Sequence, residues 1–175
     1  MELPEAIQLI RNDKLTQQSS TVWTDLGCGS GLFTLALAEL LKPGSKIYAV
    51  DKEPVTLKLP DSLKAIEIKT LKADFVADSL PFCNLDGILM VQSLHYVPDK
   101  KTLIEKLSEY LMPGGCFLIV EYDTDTPAPP WVPFPVSFAA LKRLFVNAGF
   151  TTIQKINERP SIYGRAKMYA ALISP

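Results

Sequence analysis

The chain holds a single histidine, His95, among its 175 residues. Metal centres built on several imidazoles are therefore excluded, and no metal site is expected. Its three cysteines, Cys28, Cys83 and Cys116, are odd in number and widely spaced. They form neither a zinc pattern nor a disulfide framework, so a reducing cytoplasm is the expected location. No apolar run is long enough to span a bilayer, and the N-terminus lacks the pattern of a secretory signal. Neither sign of charge dominates: the net charge of −1 argues against a broad basic surface for nucleic acid. Internal repeats, low-complexity tracts and domain linkers are also missing.

What is present is a globular composition, 47% hydrophobic and 21% charged. The length suits one domain over residues 1–175 with a sizeable core, its first 20 residues forming a helix and a linker, and not two ordinary domains. The organising stretch is Thr24 to Phe33, with Gly27, Gly29 and Gly31 at alternate positions between two apolar runs. A strand that ends in such a loop and feeds a helix brings free N–H groups and a helix N-terminus to one spot. Glycine there also lets a ligand approach the backbone closely, although many tight strand-to-helix turns need glycine for their geometry alone. Asp51 closes the next apolar run, 20 residues beyond Gly31. A carboxylate at the tip of a second strand, beside such a loop, is placed to accept the hydroxyls of a ribose. Its plainer role would be that of a surface turn acid. The spacing is Gly-x-Gly-x-Gly, and the third glycine of the dinucleotide fingerprint would fall at Leu32.

In chain order, the pattern predicts a helix over Pro4 to Leu15, a polar loop from Thr16 to Ser20 and a strand over Val22 to Leu26. A buried helix from Gly31 to Leu41 and a strand from Lys46 to Asp51 follow. Pro54 and Pro60 leave room for only about a turn of helix between them. Ala65 to Ala73 and Leu85 to Val91 read as strands, the latter as a central parallel one. Pro98-Asp99 opens a helix to Leu111, which Met112-Pro113-Gly114-Gly115 ends before a strand from Cys116 to Glu121. Ser137 caps a helix to Ala148, and Gly149 stops it. Thr151 to Ile156 and Ala166 to Ile173 are strands with only nine residues between them, too few for a parallel crossover, so they pair antiparallel.

With Asp25 two residues before the first glycine, the loop resembles motif I of the class I S-adenosylmethionine-dependent methyltransferases. The resemblance runs over nearly the whole chain. It implies an α/β, Rossmann-like doubly wound sheet of five parallel strands plus an antiparallel C-terminal hairpin, in the order 3-2-1-4-5-7-6. It implies S-adenosyl-L-methionine as cofactor, with Asp25, Gly27, Cys28, Gly29 and Gly31 forming the cofactor loop. Asp51 and the neighbouring Lys52 would lie at the ribose, Asp74-Phe75 at the adenine and Gln92 near the methionine part. Asp74 also reads as a turn acid. The segment Gln92 to Val97 lacks Asp/Asn-Pro-Pro-Tyr and looks like the Leu-His-x-Val pattern of small-molecule and quinone-type methyltransferases.

Methyl transfer from a sulfonium asks the protein mainly to bind and align. Imidazole is the side chain suited to general-base work near neutral pH, which makes His95 the candidate catalytic residue, against a packing role at the same turn. Tyr96, Glu121, Tyr122 and Trp131 are candidate acceptor contacts, while Asp123 reads better as a surface acid. Thr126 to Val136 holds five prolines and is either a stiff connection or a preorganised apolar wall. The expected function is methyl transfer to a small-molecule acceptor, with a homodimer or partner chain able to complete an open acceptor site. A non-catalytic cofactor-binding scaffold of the same fold, or a nicotinamide-dependent oxidoreductase, is the alternative. The glycine spacing and the terminal hairpin disfavour the last.

Overall fold

The apolar runs pair as expected. In the computed structural model, which describes residues 1–17, 19–58, 60, 63, 65–160 and 166–175, five parallel strands form the centre of one sheet. They are β1 (Val22–Leu26), β2 (Lys46–Asp51), β3 (Glu67–Lys72), β4 (Leu85–Val91) and β5 (Leu111–Tyr122). β6 (Thr152–Pro160) and β7 (Lys167–Ser174) complete it antiparallel, in the order β3-β2-β1-β4-β5-β7-β6. The order reverses between β1 and β4, so the carboxyl ends of these two strands flank a crevice.

The central strands are mostly apolar because both of their faces are covered. Ile88, Met90, Phe117 and Ile119 face one core, and Leu89, Cys116, Leu118 and Val120 face the other. The first core is closed by α4 (Lys100–Ser108) and α5 (Phe138–Asn147), through Leu103, Ile104, Leu107, Leu141 and Phe145. The second is closed by α1 (Leu3–Ile10), α2 (Asp13–Gln17) and α3 (Leu32–Ala38), through Leu9, Ile10, Leu15, Ala36 and Leu37. Two caps follow the sequence: the Asp99 carboxylate accepts from Thr102 N, and Ser137 Oγ accepts from Ala140 N.

Several boundaries differ from the sequence reading for identifiable reasons. The helix expected over Pro4 to Leu15 breaks in two, because Asn12 turns its side chain on the backbone. Its Nδ2 donates to Ile10 O at 2.9 Å, and its Oδ1 accepts from Leu15 N at 3.2 Å, starting α2. α2 then takes in Thr16 and Gln17, which the sequence reading placed in a loop continuing across residue 18, outside the described residues. α3 ends at Ala38 and α4 at Ser108, each about a turn earlier than expected. The Met112–Gly115 stop lies inside β5 as a bulge, since Leu111 pairs with Leu85 and Cys116 with Gly87. β6 runs on to Pro160 because a bulge between Lys155 and Asn157 carries the ladder past Ile156. The turn around Gly164 lies outside the described residues, as do residues 59, 61, 62 and 64 of the Pro-bounded segment. Residues 54–58 form no regular structure. Leu63 and Ile66 nevertheless join the second core, and Tyr48, Phe82 and Tyr110 stack in series at 4.8 and 5.8 Å on the other face.

One close approach fixes the junction of β1 and β4. Trp23 pairs with Gly87 in the ladder, and its fully buried indole lies across that glycine. A methyl group on Gly87 would overlap the indole ring. Gly87→Ala should therefore lower stability by about 1–3 kcal/mol through overpacking. Urea unfolding checks this: the midpoint should fall with the slope unchanged.

Candidate functional site

At the carboxyl tip of β1 the backbone turns left-handed three times, at Gly27 (φ 78°), Gly29 (φ 52°) and Gly31 (φ 82°). Two of these glycines are packed: a methyl on Gly27 would come within 2.6 Å of Ser93 Cβ and 3.5 Å of Phe75, and one on Gly31 would overlap Leu57. Gly29 faces open space, with nothing within 4 Å of where a Cβ would sit. Four amides of the loop are spent on the protein itself. Gly27 N and Cys28 N both donate to Val50 O, Gly31 N donates to Cys28 O, and Gly29 N donates to Asp51 Oδ2 at 2.8 Å. What it offers a ligand is close approach to bare backbone at Gly29.

Asp51, at the end of β2, is aimed at that backbone. Its second oxygen accepts from Glu53 N at 3.0 Å. A carboxylate has about four acceptor sites, so both oxygens retain capacity for ligand hydroxyls. Lys52 beside it is exposed. Asp74, just past β3, has an exposed carboxylate that accepts from Val76 N at 2.9 Å, the turn-acid arrangement. Phe75 turns inward beside Gly27. Sequence reasoning missed the clamp on this turn: Lys106 Nζ reaches over from α4 and donates to Phe75 O, Val76 O and Asp78 O at 3.1, 3.0 and 2.6 Å. One lysine among the three of α4 carries no signal of that task.

Under the loop lies Asp25, 1% exposed. Thr34 Oγ1 donates to its Oδ2 at 2.6 Å, and its Oδ1 has no hydrogen-bond partner among the described residues. Burial pushes this carboxyl up to about 7, against the pull of the Thr34 hydrogen bond and with a small push from Asp51. Thr34 is the one polar residue of α3, a signal available in the sequence. Burial, with the charges of Asp25 and Asp51, also pushes the Cys28 thiol up to about 12, so it is no nucleophile at neutral pH.

Across the crevice, the segment after β4 is strained and tied down. Gln92 adopts φ 51°, its N donates to Val120 O, and its Nε2 is sealed from solvent without a partner among the described residues. Ser93, within the segment expected to follow the fourth strand, donates from Oγ to Leu26 O at 2.7 Å and so locks the tips of β4 and β1 together. One turn of 3-10 helix, Leu94–Tyr96, then carries His95. Its imidazole is buried, with Nδ1 at 2.6 Å from Glu121 Oε2, while the backbone N of His95 donates to Glu121 Oε1 at 3.1 Å.

Glu121 is 1% exposed, and both of its oxygens are engaged with His95. The direct acceptor contact expected of Glu121 does not fit this placement; its reach is to the imidazole. Tyr96 packs on the His95 ring at 4.4 Å and is half exposed, and Tyr122 lies 6.3 Å from the same ring. Phe134 N donates to His95 O, which anchors the proline-rich loop here, and Trp131 of that loop is 75% exposed. Asp123 bonds Phe138 N and Lys155, a structural role.

A family model described as a methyltransferase domain matches residues 24–117, more than half of the chain. The chain belongs to the class I S-adenosylmethionine-dependent methyltransferase family. An uncharacterised methyltransferase of Mycobacterium bovis is 30% identical over 101 residues, covering 57% of this methyltransferase domain and 50% of that protein. A ubiquinone biosynthesis O-methyltransferase of Idiomarina loihiensis is 30% identical over 96 residues, covering 52% and 38% of the two chains. The domain thus spans about half the length, or less, of these curated relatives. Among solved structures, a Burkholderia thailandensis 1,6-didemethyltoxoflavin-N1-methyltransferase superposes with a TM-score of 0.68 at 18% identity, covering 98% of this chain and 77% of that one.

The residues of the methyltransferase domain fit the cofactor of its family. The bare backbone at Gly29, the carboxylate aimed at it and the unpartnered Oδ1 of Asp25 and Nε2 of Gln92 together offer close approach, acceptors and a donor for an adenosyl amino acid.

The buried carboxyl makes stability depend on pH. The folded domain keeps Asp25 protonated up to about pH 7, whereas the unfolded chain ionises it above about pH 4. The folded state therefore binds the extra proton in that window, so stability falls as pH rises through it and levels off above. Asp25→Asn has no such titration. Its stability relative to the parent should rise across the window, by about 4 kcal/mol at most. Urea unfolding at about pH 5 and about pH 8 checks the difference.

Proposed function

We propose that this chain binds S-adenosylmethionine at the carboxyl tips of β1 and β2 and transfers its methyl group to a small-molecule acceptor in the cytoplasm. The observation that carries the reading is the hydrogen bond from Gly29 N to Asp51. It joins the bare backbone at Gly29 to an acceptor carboxylate on the tip of β2, beside the crevice where the strand order reverses. The three free thiols, two of them buried, fit a reducing compartment. No helix among the described residues is long and apolar enough to cross a membrane.

In this reading the Gly27–Gly31 loop and Asp51 hold the sugar, with Lys52 at its edge. Phe75 backs the base, and Asp74 shapes the turn that presents it. Asp25 and Gln92 supply polar contacts to the amino-acid part from opposite sides of the crevice. The sulfonium supplies an activated methyl carbon, and the chain's task is to position the acceptor and exclude water. Tyr96, Tyr122 and Trp131 are the acceptor contacts. A second copy or a partner chain would cover the face on which Tyr96 and Trp131 are exposed. The contact between His95 and Glu121 beside the crevice is the feature that supports catalysis over a scaffold role.

Calorimetry with S-adenosylmethionine, S-adenosylhomocysteine and NAD tests the assignment. The first two should bind and NAD should not; binding of NAD alone overturns it. Asp51→Ala should lose about 1–3 kcal/mol of cofactor affinity through the lost charge-assisted hydrogen bonds. That is a roughly 5- to 150-fold rise in Kd. An unchanged Kd would remove Asp51 from the site.

A further inference from the structure

We infer that Lys106 of α4 is a positioning residue for the purine base of the cofactor, acting through the turn after β3 that it holds. The inference rests on the S-adenosylmethionine reading and deepens it, by adding a residue that sets how the base is read without touching it.

The clamp spends the whole of the lysine. An ammonium has three N–H donors. Those of Lys106 go to Phe75 O, Val76 O and Asp78 O at 3.1, 3.0 and 2.6 Å. Lysines ordinarily keep the charged head in water, whereas this half-buried one is turned back onto a single turn of the backbone. Hydrogen bonds from a charged donor are the strong kind, so the three together hold the turn firmly. Tyr110, in the turn that follows α4, adds a second tie. Its Oη accepts from Leu80 N at 3.1 Å, and its ring packs on Phe82 at 5.8 Å.

The inside of the turn is equally accounted for. Asp74 N donates to Asp78 Oδ2 at 2.8 Å, and Asp78 N to Asp74 O at 2.7 Å. Val76 N and Ala77 N both donate to Asp74 Oδ1, at 2.9 and 3.4 Å. Among the amides of residues 74–78, that of Phe75 alone makes no hydrogen bond among the described residues, and Asp74 keeps Oδ2 unspent. The Phe75 ring stands beside Gly27, 3.5 Å from where a methyl on that glycine would lie, so the turn borders the crevice.

The planarity of the peptide bond links the clamp to these two groups. A carbonyl and the amide of the next residue move as one rigid unit. By holding Phe75 O and Val76 O, Lys106 therefore also places Val76 N and Ala77 N, the two amides on which the Asp74 carboxylate rests. The carboxylate is aimed by the lysine at second hand, with Oδ2 left over. A polarised carbonyl also makes the N–H of its own peptide a better donor. One unspent acceptor and one unspent donor on adjoining residues match the edge of adenine, an amino group beside a ring nitrogen acceptor. They mismatch hypoxanthine, whose edge carries a carbonyl beside an N–H.

The test is calorimetry with S-adenosylhomocysteine and its hypoxanthine counterpart, S-inosylhomocysteine. The parent should prefer the adenine ligand by about tenfold or more. Lys106→Ala and Lys106→Met, the second of which keeps the apolar stem, should each bind S-adenosylhomocysteine about tenfold or more weakly than the parent. Both should bind S-inosylhomocysteine within about threefold of the parent, so that the preference collapses rather than the site. Lys101→Ala, which removes an exposed lysine of the same helix paired with Glu105, should match the parent on both ligands. Methylammonium carries three N–H donors and fits the space left in Lys106→Ala, so it should restore the adenine preference. Tetramethylammonium has the same charge and no donor, and it should not. Rescue by the donor alone is a response that general unfolding would not give. Equal weakening on both ligands in both variants, a retained preference in both, or equal rescue by the two ammonium ions would overturn the inference. If the parent binds the two ligands alike, this inference alone fails. If the parent binds neither S-adenosylmethionine nor S-adenosylhomocysteine, the methyltransferase reading fails.

Discussion

Each strand tip along the crevice is fastened to its neighbour by a hydrogen bond that lies outside the regular ladder. Gly27 N and Cys28 N reach Val50 O, and Gly29 N reaches Asp51. Ser93 Oγ reaches Leu26 O, Gln92 N reaches Val120 O, and His95 N reaches Glu121. The constraint behind this is the double covering of the sheet. Strands apolar on both faces have nowhere along their length for polar chemistry, so it collects where the pairing stops. Once there, each polar group must find a partner or remain a buried orphan. The orphans among the described residues, Asp25 Oδ1 and Gln92 Nε2, flank the crevice.

The site therefore combines rigid and unsatisfied parts. The glycine loop spends four of its amides on the β2 tip and on itself, and Lys106 secures the Phe75 turn from α4. The left-handed Gln92 stores backbone strain of the order of 1 kcal/mol, tolerated because its neighbours on both sides are locked. Strain and buried orphans at one crevice are features a fold does not need for stability, and their concentration here marks the functional end of the sheet.

Much of this was legible in the residues. The short link before Ala166 was enough for the antiparallel hairpin, and the sheet order followed from the family resemblance that Asp25 and Gly27–Gly31 carry. The structure departs wherever a side chain acts at a distance. Asn12 breaks a helix whose apolar spacing was continuous, because its amide competes for the backbone. β6 outruns its pattern because a bulge rephases it, with Asn157 Nδ2 donating to Gln8 O, Leu9 O and Arg11 O. Glu121 reads as the open end of a strand, but β7 on one side and the His95 turn on the other enclose it. Lys106 could not have been found at all, since its three acceptors lie 28 to 31 residues earlier in the chain.

The two flanks of the sheet are unequally supported. β5 and β7 are sandwiched between helical layers, whereas β3 exposes four of its six residues, Glu67, Lys69, Thr70 and Lys72, at the margin. Charged groups on such a margin discourage another strand from docking. They also leave β3 with little apolar burial of its own. The weaker flank is the one whose neighbouring tip, β2, carries Asp51, so occupancy of the crevice would reinforce the part of the molecule with least to hold it. By mass action, a molecule that binds only the folded form raises the free energy of unfolding. The margin of the sheet would then report occupancy through slower amide exchange with solvent, coupling the state of the crevice to the solidity of an edge that never touches its contents.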